Sequence, residues 1–206
     1  LGPDYEVALH ELKDDSNEII AIANGMGTVP SAGVGVAEKL CAFVMLIPSA
    51  FAQSMTAFVA QNVGARRMDR AGRALLCGIG LSLAVSIVVF WGVFFHGDLL
   101  SGIFAEDEAV ILASAEYLKA YAIDCLLTSF LFSLIGYFNG CGRTVFTMLQ
   151  GLTGAFCVRL PVAFLMNRYV HGSLFALGLS TPCSTLVQIL LCGGYFLYLR
   201  KKNAAQ

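Results

Sequence analysis

The sequence predicts an all-α protein: a polytopic transmembrane helical bundle of five full spans behind a truncated first helix. Three observations predict it. Of the 206 residues, 57% are hydrophobic and only 13% are charged, against about 25% charged in a soluble globular domain. Five stretches are apolar over the length a helix needs to cross a bilayer core, about 20 residues. None of the five shows the two-residue alternation of a barrel strand, so helices are the structure that satisfies their backbone in lipid.

In chain order, residues 1–16 (LGPDYEVALHELKDDS) are polar and acidic and read as a non-membrane segment. They lack the basic start and apolar core of a signal peptide. Glu18 to Pro30 (EIIAIANGMGTVP) is apolar but too short to cross, and reads as a helix cut short at its front. The chain opens on Leu rather than Met, which leads us to expect an incomplete or processed chain. The first full span runs from Leu40 to Ala60, interrupted by Pro48 and Gln53. The second, Ala74 to Phe95, carries no charge. The third, Tyr117 to Phe138, contains Lys119 and Asp124. The fourth, Thr144 to Met166, contains Arg159. The fifth, Ser173 to Leu199, is expected to kink at Pro182, and residues 200–206 form a basic tail.

Charge in short loops sets orientation, with the arginine- and lysine-rich side cytoplasmic. Arg66, Arg67, Arg70 and Arg73 follow the first span, Arg143 follows the third, and the C-terminus reads RKKNAAQ. If all five segments cross, these sites share one side. Glu106, Asp107 and Glu108, then the lone Arg168, fall on the other. A multi-pass protein of the cell membrane with a cytoplasmic C-terminus is expected. Trp91, Phe94, Phe95, Tyr117, Tyr121 and Tyr169 gather near the outer ends, and Tyr195 and Tyr198 near the inner end. They read either as an interfacial belt or as packed helix residues. Gly72, Gly78 and Gly80 crowd one helix and Gly136, Gly140 and Gly142 another, the spacing that lets helix backbones approach in lipid.

Several function classes are excluded. Net charge is −1, with no basic face carrying interleaved aromatics, so no nucleic-acid partner is expected. The seven cysteines stand singly, with no Cys-x-x-Cys and no histidine at ligand spacing, so they read as small hydrophobes. No metal site or organic cofactor is expected. No nucleophile–base pair or phosphate-binding glycine loop is visible, and an enzyme is not expected.

The stretch AEKLCAFVMLIPSAFAQSMTAFVAQNVGARRMDRA carries a more specific pattern. A helix with an internal proline ends in Gln61, Asn62, Gly64 and Ala65, followed by a basic stretch with Arg70 and Ala71. It resembles a span and its cytoplasmic loop in multidrug and toxin extrusion (MATE) transporters, with Ala60 where the family usually has glycine. GYFNGCGRT and FCVRLPVAF also resemble the family. The resemblance covers about Asn17 to Leu199 and is to the second of the family's two six-helix lobes. It implies half of a secondary active antiporter that exports organic cations or drugs in exchange for H⁺ or Na⁺. The implied partners are membrane lipid, an organic cation and an N-terminal lobe. Gln61 and Asn62 either cap the helix end or touch substrate. Two alternatives remain: a flippase for lipid-linked saccharides on a related fold, and a non-transporting membrane fragment or assembly subunit.

Asp124 is the only carboxylate well inside a span. A charge there costs about 2.5–3.5 kcal/mol on insertion scales. Such a residue faces a cavity or a partner. Arg159 lies at matching depth on the next, antiparallel span, with both about 10–12 Å beneath the outer boundary at about 1.5 Å per residue. Asp124 is therefore either an ion-coupling site or half of a fixed ion pair with Arg159. Helical spacing puts Tyr117, Tyr121, Thr128 and Leu131 on the same face. Tyrosine rings suit an organic cation. Gln53, beyond Pro48, is a further candidate for the cavity.

Overall fold

A computed structural model describes Ala23, residues 27–169 and residues 173–204. The polar segment 1–16 and all of the truncated first helix before Gly27 except Ala23 lie outside the described residues. Among the described residues, five helices are long and apolar enough to cross a membrane: Thr28–Gly64, Met68–Phe95, Glu108–Gly140, Thr144–Met166 and Leu174–Leu199. No strand occurs among the described residues.

The elements are α1 (Thr28–Gly64), α2 (Met68–Phe95), the short α3 (Gly97–Ser101) and α4 (Glu108–Gly140). Then come α5 (Thr144–Leu152), a π-helical segment (Thr153–Arg159) and α6 (Leu160–Tyr169), which together make the fourth span. Short α7 (Leu174–Gly178) leads into α8 (Ser180–Ala204).

Two helices begin well before their predicted starts. α1 starts at Thr28 rather than Leu40, and α4 at Glu108 rather than Tyr117. Packing extends them. At Gly33 a side chain would come within 2.6 Å of Ala113 Cβ, so the front of α1 lies directly on the front of α4. Asp107 caps α4 by accepting from the Ala109 amide at 2.9 Å, satisfying a donor that helix starts leave open. Ser101 Oγ donates to Ser114 Oγ at 2.8 Å and pins α3 beside it. In the fifth span the break falls at Leu179, not at Pro182. Pro182 sits in the first turn of α8, where its missing N–H costs nothing. α1 stays helical through Pro48.

α4 is the central helix. Its contacts fix the directions of the others. Gly33 meets Ala113, Gly136 meets Ala52 and Gly140 meets Val59, so α1 runs parallel to α4. Gly178 meets Tyr117 and Ala120, and Phe138 packs tilted against Tyr195 with ring centroids 5.5 Å apart, so the last span is parallel too. α2 runs the other way: Gly97, just past its end, meets Ala115, and Ser82 bonds the Ser129 carbonyl. The Arg66–Arg67 turn, Arg143 and the exposed Lys201 therefore share one end of the bundle, and the Glu106–Glu108 loop lies at the other.

The two arginine turns close in the same way. Arg67 N–H bonds the Asn62 carbonyl and Arg66 N–H the Val63 carbonyl; Arg143 N–H bonds Phe138 and Gly142 N–H bonds Asn139. Both are Schellman closures, which need a left-handed residue. Gly142 supplies it at φ 73°, and Arg66 adopts it at φ 58°. The Gln61–Ala65 motif thus ends α1. The Gln61 carbonyl accepts from Ala65 N–H at 3.0 Å, and Asn62 Nδ2 donates to the Phe58 carbonyl at 2.8 Å. Gly64 and Arg70 are exposed at this turn.

Among the described residues the core has two apolar clusters. One, toward the Glu106 end, joins Val34, Leu40, Val93, Tyr117, Leu118 and Leu177. The other, toward the arginine end, joins Met55, Val59, Leu75, Leu131, Phe138 and Cys192. Tyr117 and Tyr121 belong to the first cluster rather than to an interfacial belt. Trp91, Phe95 and Tyr198 are exposed. Between the clusters lies a polar layer of Asp124, Thr128, Ser129, Ser133, Ser82 and Thr185, all buried.

Candidate functional site

Asp124 is the midpoint of α4, with sixteen residues on either side. It is 1% exposed. Its two oxygens are treated differently. Oδ2 accepts from Thr128 Oγ1, one turn on, at 3.0 Å. Oδ1 accepts no hydrogen bond from any described residue. Thr185 of α8 approaches the carboxylate, but its hydroxyl proton goes to the Thr181 carbonyl at 3.1 Å. A buried acceptor left unpaired costs on the order of 1–3 kcal/mol, more when charged, so this geometry is expensive to hold.

Arg159 ends the π-helical segment, half-buried and within electrostatic reach of Asp124. A π-helix bonds i to i+5 and is uncommon beyond a single turn; such turns occur often at functional sites. Here α8 stabilises it. Ser184 Oγ donates to the Gly154 carbonyl at 2.7 Å, and Gln188 Nε2 donates to Ser184 Oγ at 3.2 Å. The Gln188 side chain lies across Gly154, in the space a β-carbon there would need.

On the other side of the carboxylate are two tyrosines of the same α4 face. Tyr121 is 6% exposed and Tyr117 fully buried. Tyr117 Oη donates to Glu38 Oε1 of α1 at 2.9 Å. The structure thus brings Tyr117, Tyr121, Asp124, Thr128 and Arg159 together. It leaves Gln53 out. Gln53 is exposed on α1 beside Ala52, which packs at the level of Gly136, about 18 Å along α4 from Asp124 at about 1.5 Å per residue.

Sequence reasoning misses Glu38, Thr185 and the π-helical segment. Glu38 stands two residues before the apolar run beginning at Leu40, so hydropathy places it ahead of the first span. Its signal is the small-residue stretch SAGVGVAEK, whose glycines and alanines at helical spacing extend the same helix. Thr185 carries no distinguishing pattern.

The MatE family model matches residues 17–165. The probable multidrug resistance protein YoeA of Bacillus subtilis is 20% identical over 185 residues, covering 90% of this chain and 40% of that protein. The multidrug export protein MepA of Staphylococcus aureus is 25% identical over 173 residues, covering 80% of this chain and 37% of that protein. A crystal structure of MATE in the bent conformation superposes with a TM-score of 0.81 at 18% identity, over 91% of this chain and 41% of that one. At that identity the likeness shows the fold. The chain spans about 40% of the length of the curated relatives it matches.

Proposed function

Because the chain belongs to the MatE family, we propose that it works as one lobe, the C-terminal one, of a secondary active antiporter that exports organic cations or drugs in exchange for H⁺ or Na⁺. Its five crossing helices make it a multi-pass membrane protein. The basic turns sharing one end are assigned to the cytoplasm on the charge rule for short loops. The relatives' description as multidrug proteins supports the substrate class.

The observation that carries the mechanism is Asp124 Oδ1: a carboxylate oxygen in the middle of the central helix, sealed from solvent and accepting no hydrogen bond from a described residue. Intramembrane carboxylates in such positions mark ion paths. A proton would neutralise the group. A sodium ion would take oxygen ligands, and Thr128 and Thr185 stand beside the carboxylate to supply them. Tyr117 and Tyr121 offer ring faces to an organic cation when the outer side of the lobe opens. Arg159 is a partner held in one arrangement of the lobe and released in the other. Ion binding at Asp124 favours one arrangement of two rocking lobes and substrate the other.

The test is Asp124→Asn in the complete transporter, reconstituted in liposomes and assayed for ethidium efflux driven by a proton or sodium gradient. Efflux uncoupled from both gradients is the expected result. Unchanged ion-driven efflux removes Asp124 from the mechanism.

A further inference from the structure

We propose that this lobe holds a phospholipid of the phosphatidylethanolamine class. One acyl chain lies in an apolar groove between α1 and α2, and the headgroup sits between Lys39 and Glu106. The inference needs only that the helices cross a membrane and stands apart from any role of Asp124.

The groove has a volume of about 230 Å³, and every side chain that lines it is apolar. Leu40 of α1, Val93 of α2 and Leu118 of α4 are its buried floor, and Phe43 and Ile47 are its exposed rim. Phe104, in the loop after α3, leans on Phe43 with ring centroids 6.1 Å apart. From Leu40 to Ile47 the groove follows α1 for about 10 Å at about 1.5 Å per residue. One leaflet supplies roughly 15 Å of the hydrocarbon core, so the groove has the reach of a single acyl chain. Its floor belongs to the apolar cluster at the Glu106 end, and its occupant comes from the leaflet on that side.

Two observations select lipid rather than protein. The first is α2, which forms one wall. Only 11% of its most apolar stretch is buried, the smallest share of the five spans. Leu81, Val88, Trp91 and Phe95 are all exposed on it. A helix that is apolar all round and uncovered by its own bundle belongs in lipid. The second is the charge at the mouth. Leu40 stands 21 residues from Gln61, at the turn that closes α1. At about 1.5 Å per residue this separation matches the roughly 30 Å hydrocarbon core, so the headgroup level falls just outside Leu40. Lys39 is exposed there, one turn from Phe43 and two from Ile47 on the same helix face. His96, three residues past Val93, is exposed at the end of α2. Glu106, two residues past Phe104, is exposed on the loop side. The neighbouring acids are turned to other partners: Glu38 accepts from Tyr117 Oη, and Asp107 caps α4.

A basic side and an acidic side at one mouth suit a headgroup that carries both signs. The phosphate takes hydrogen bonds from Lys39 and His96. A primary ammonium donates to the Glu106 carboxylate. A choline headgroup has no N–H to donate there, and a glycerol headgroup has no positive charge.

The test uses the complete transporter in phosphatidylcholine liposomes containing a trace of phosphatidylethanolamine with a photoactivatable acyl chain. Labelled residues are mapped by peptide mass spectrometry. Labelling is expected to concentrate on residues 40–47 and 89–93. Lys39→Gln should lower it about 10-fold, the loss of one hydrogen bond to a charged group, and Lys39→Arg should retain it. Glu106→Gln should remove the preference over a photoactivatable phosphatidylcholine. Val44→Trp, which fills the groove, should abolish labelling there. Tm in lipid-free detergent should not change in Lys39→Gln, since Lys39 is exposed, and this separates lost binding from lost folding. Labelling spread evenly over the exposed faces of α1 and α2 would mean ordinary annular lipid and overturn the proposal. Equal groove labelling by phosphatidylcholine and phosphatidylglycerol probes would do the same. Cross-linking from Ile47→Cys to the other lobe, to a second copy or to the segment before Gly27 would show that protein covers the groove, and would also overturn it.

Discussion

Ser184 Oγ donates to the Gly154 carbonyl across 2.7 Å, tying α8 to the π-helical segment that carries Arg159. The next residue on α8, Thr185, stands against Asp124. Two neighbouring hydroxyls on one helix thus connect the carboxylate to the backbone segment that carries Arg159.

That clamp depends on glycine. A β-carbon at 154 would enter the space of Gln188, whose Nε2 holds Ser184. Gly154→Ala is expected to lose about 1–3 kcal/mol, the range for overpacking a close contact. Gln188→Ala alone gives up one neutral hydrogen bond, worth about 1 kcal/mol. The double variant should recover part of the Gly154→Ala loss, with a coupling of about 0.5–3 kcal/mol as found for residues in contact. Thermal unfolding of purified protein in detergent reads all three. Strict additivity would mean that Gln188 does not fill the Gly154 site.

Thr128 donates its hydroxyl to Asp124 Oδ2 at 3.0 Å. Thr128→Val keeps the shape and removes the donor. Hydrogen bonds to charged groups contribute about 1.5–3 kcal/mol, and a loss of that size is expected in the same unfolding assay. Thr128→Ser should stay near wild type. If Asp124 is replaced by Asn first, the cost of Thr128→Val should fall toward that of a neutral bond. An unchanged cost in both backgrounds would place the threonine's contribution in packing.

The parts of the fold that are legible in the sequence are those set by hydropathy. α2 ends at Phe95 and the fourth span covers Thr144–Met166, as the apolar runs require. What escapes is set by packing. Residues 28–39 and 108–116 are too small or polar to read as membrane-spanning, and they become helix because Gly33 lies on Ala113 and Ser101 bonds Ser114. Glu38 is hidden for the same reason, since a residue placed ahead of a span cannot be read as part of its buried face. Asp124 is conspicuous because a carboxylate in an apolar run is too costly to sit there without a cavity or a partner. The π-helical segment leaves no periodicity to detect: its bonding follows from Ser184 and Gln188, some 30 residues away in sequence. The tyrosines show the reverse failure. At the end of a span, composition cannot separate a headgroup-facing ring from one that bonds a buried acid, as Tyr117 does.

Four glycines test which helix faces touch. At Gly136 a β-carbon would come within 2.6 Å of the Ala52 carbonyl, and at Gly140 within 2.6 Å of Val59 Cβ. At Gly72 and Gly80 it would meet nothing within 4 Å. Gly136→Ala and Gly140→Ala should each destabilise by about 1–3 kcal/mol through forced separation of α1 and α4. Gly72→Ala and Gly80→Ala should be neutral or stabilising by up to about 1 kcal/mol, since alanine is the better helix former. Equal effects at all four sites would mean that α1 does not pack along α4 as described.

The shared end of the arginine turns can be tested in intact cells. α1 and α4 run parallel, so their closing turns bring Arg67 and Arg143 to one end, with Glu106 at the opposite end. The chain has seven cysteines of its own, and Cys77 and Cys157 are exposed, so labelling starts from a background in which all seven are replaced. Single cysteines at 67, 143 and 106 are then treated with a membrane-impermeant maleimide from outside. Position 106 should react in intact cells, and positions 67 and 143 only after permeabilisation. Both arginine positions reacting from outside would invert the lobe and put the Glu38–Tyr117 pair on the cytoplasmic side. Reaction of 67 and 143 from opposite sides cannot be reconciled with two parallel helices whose glycines meet at both ends, and would refute the bundle itself.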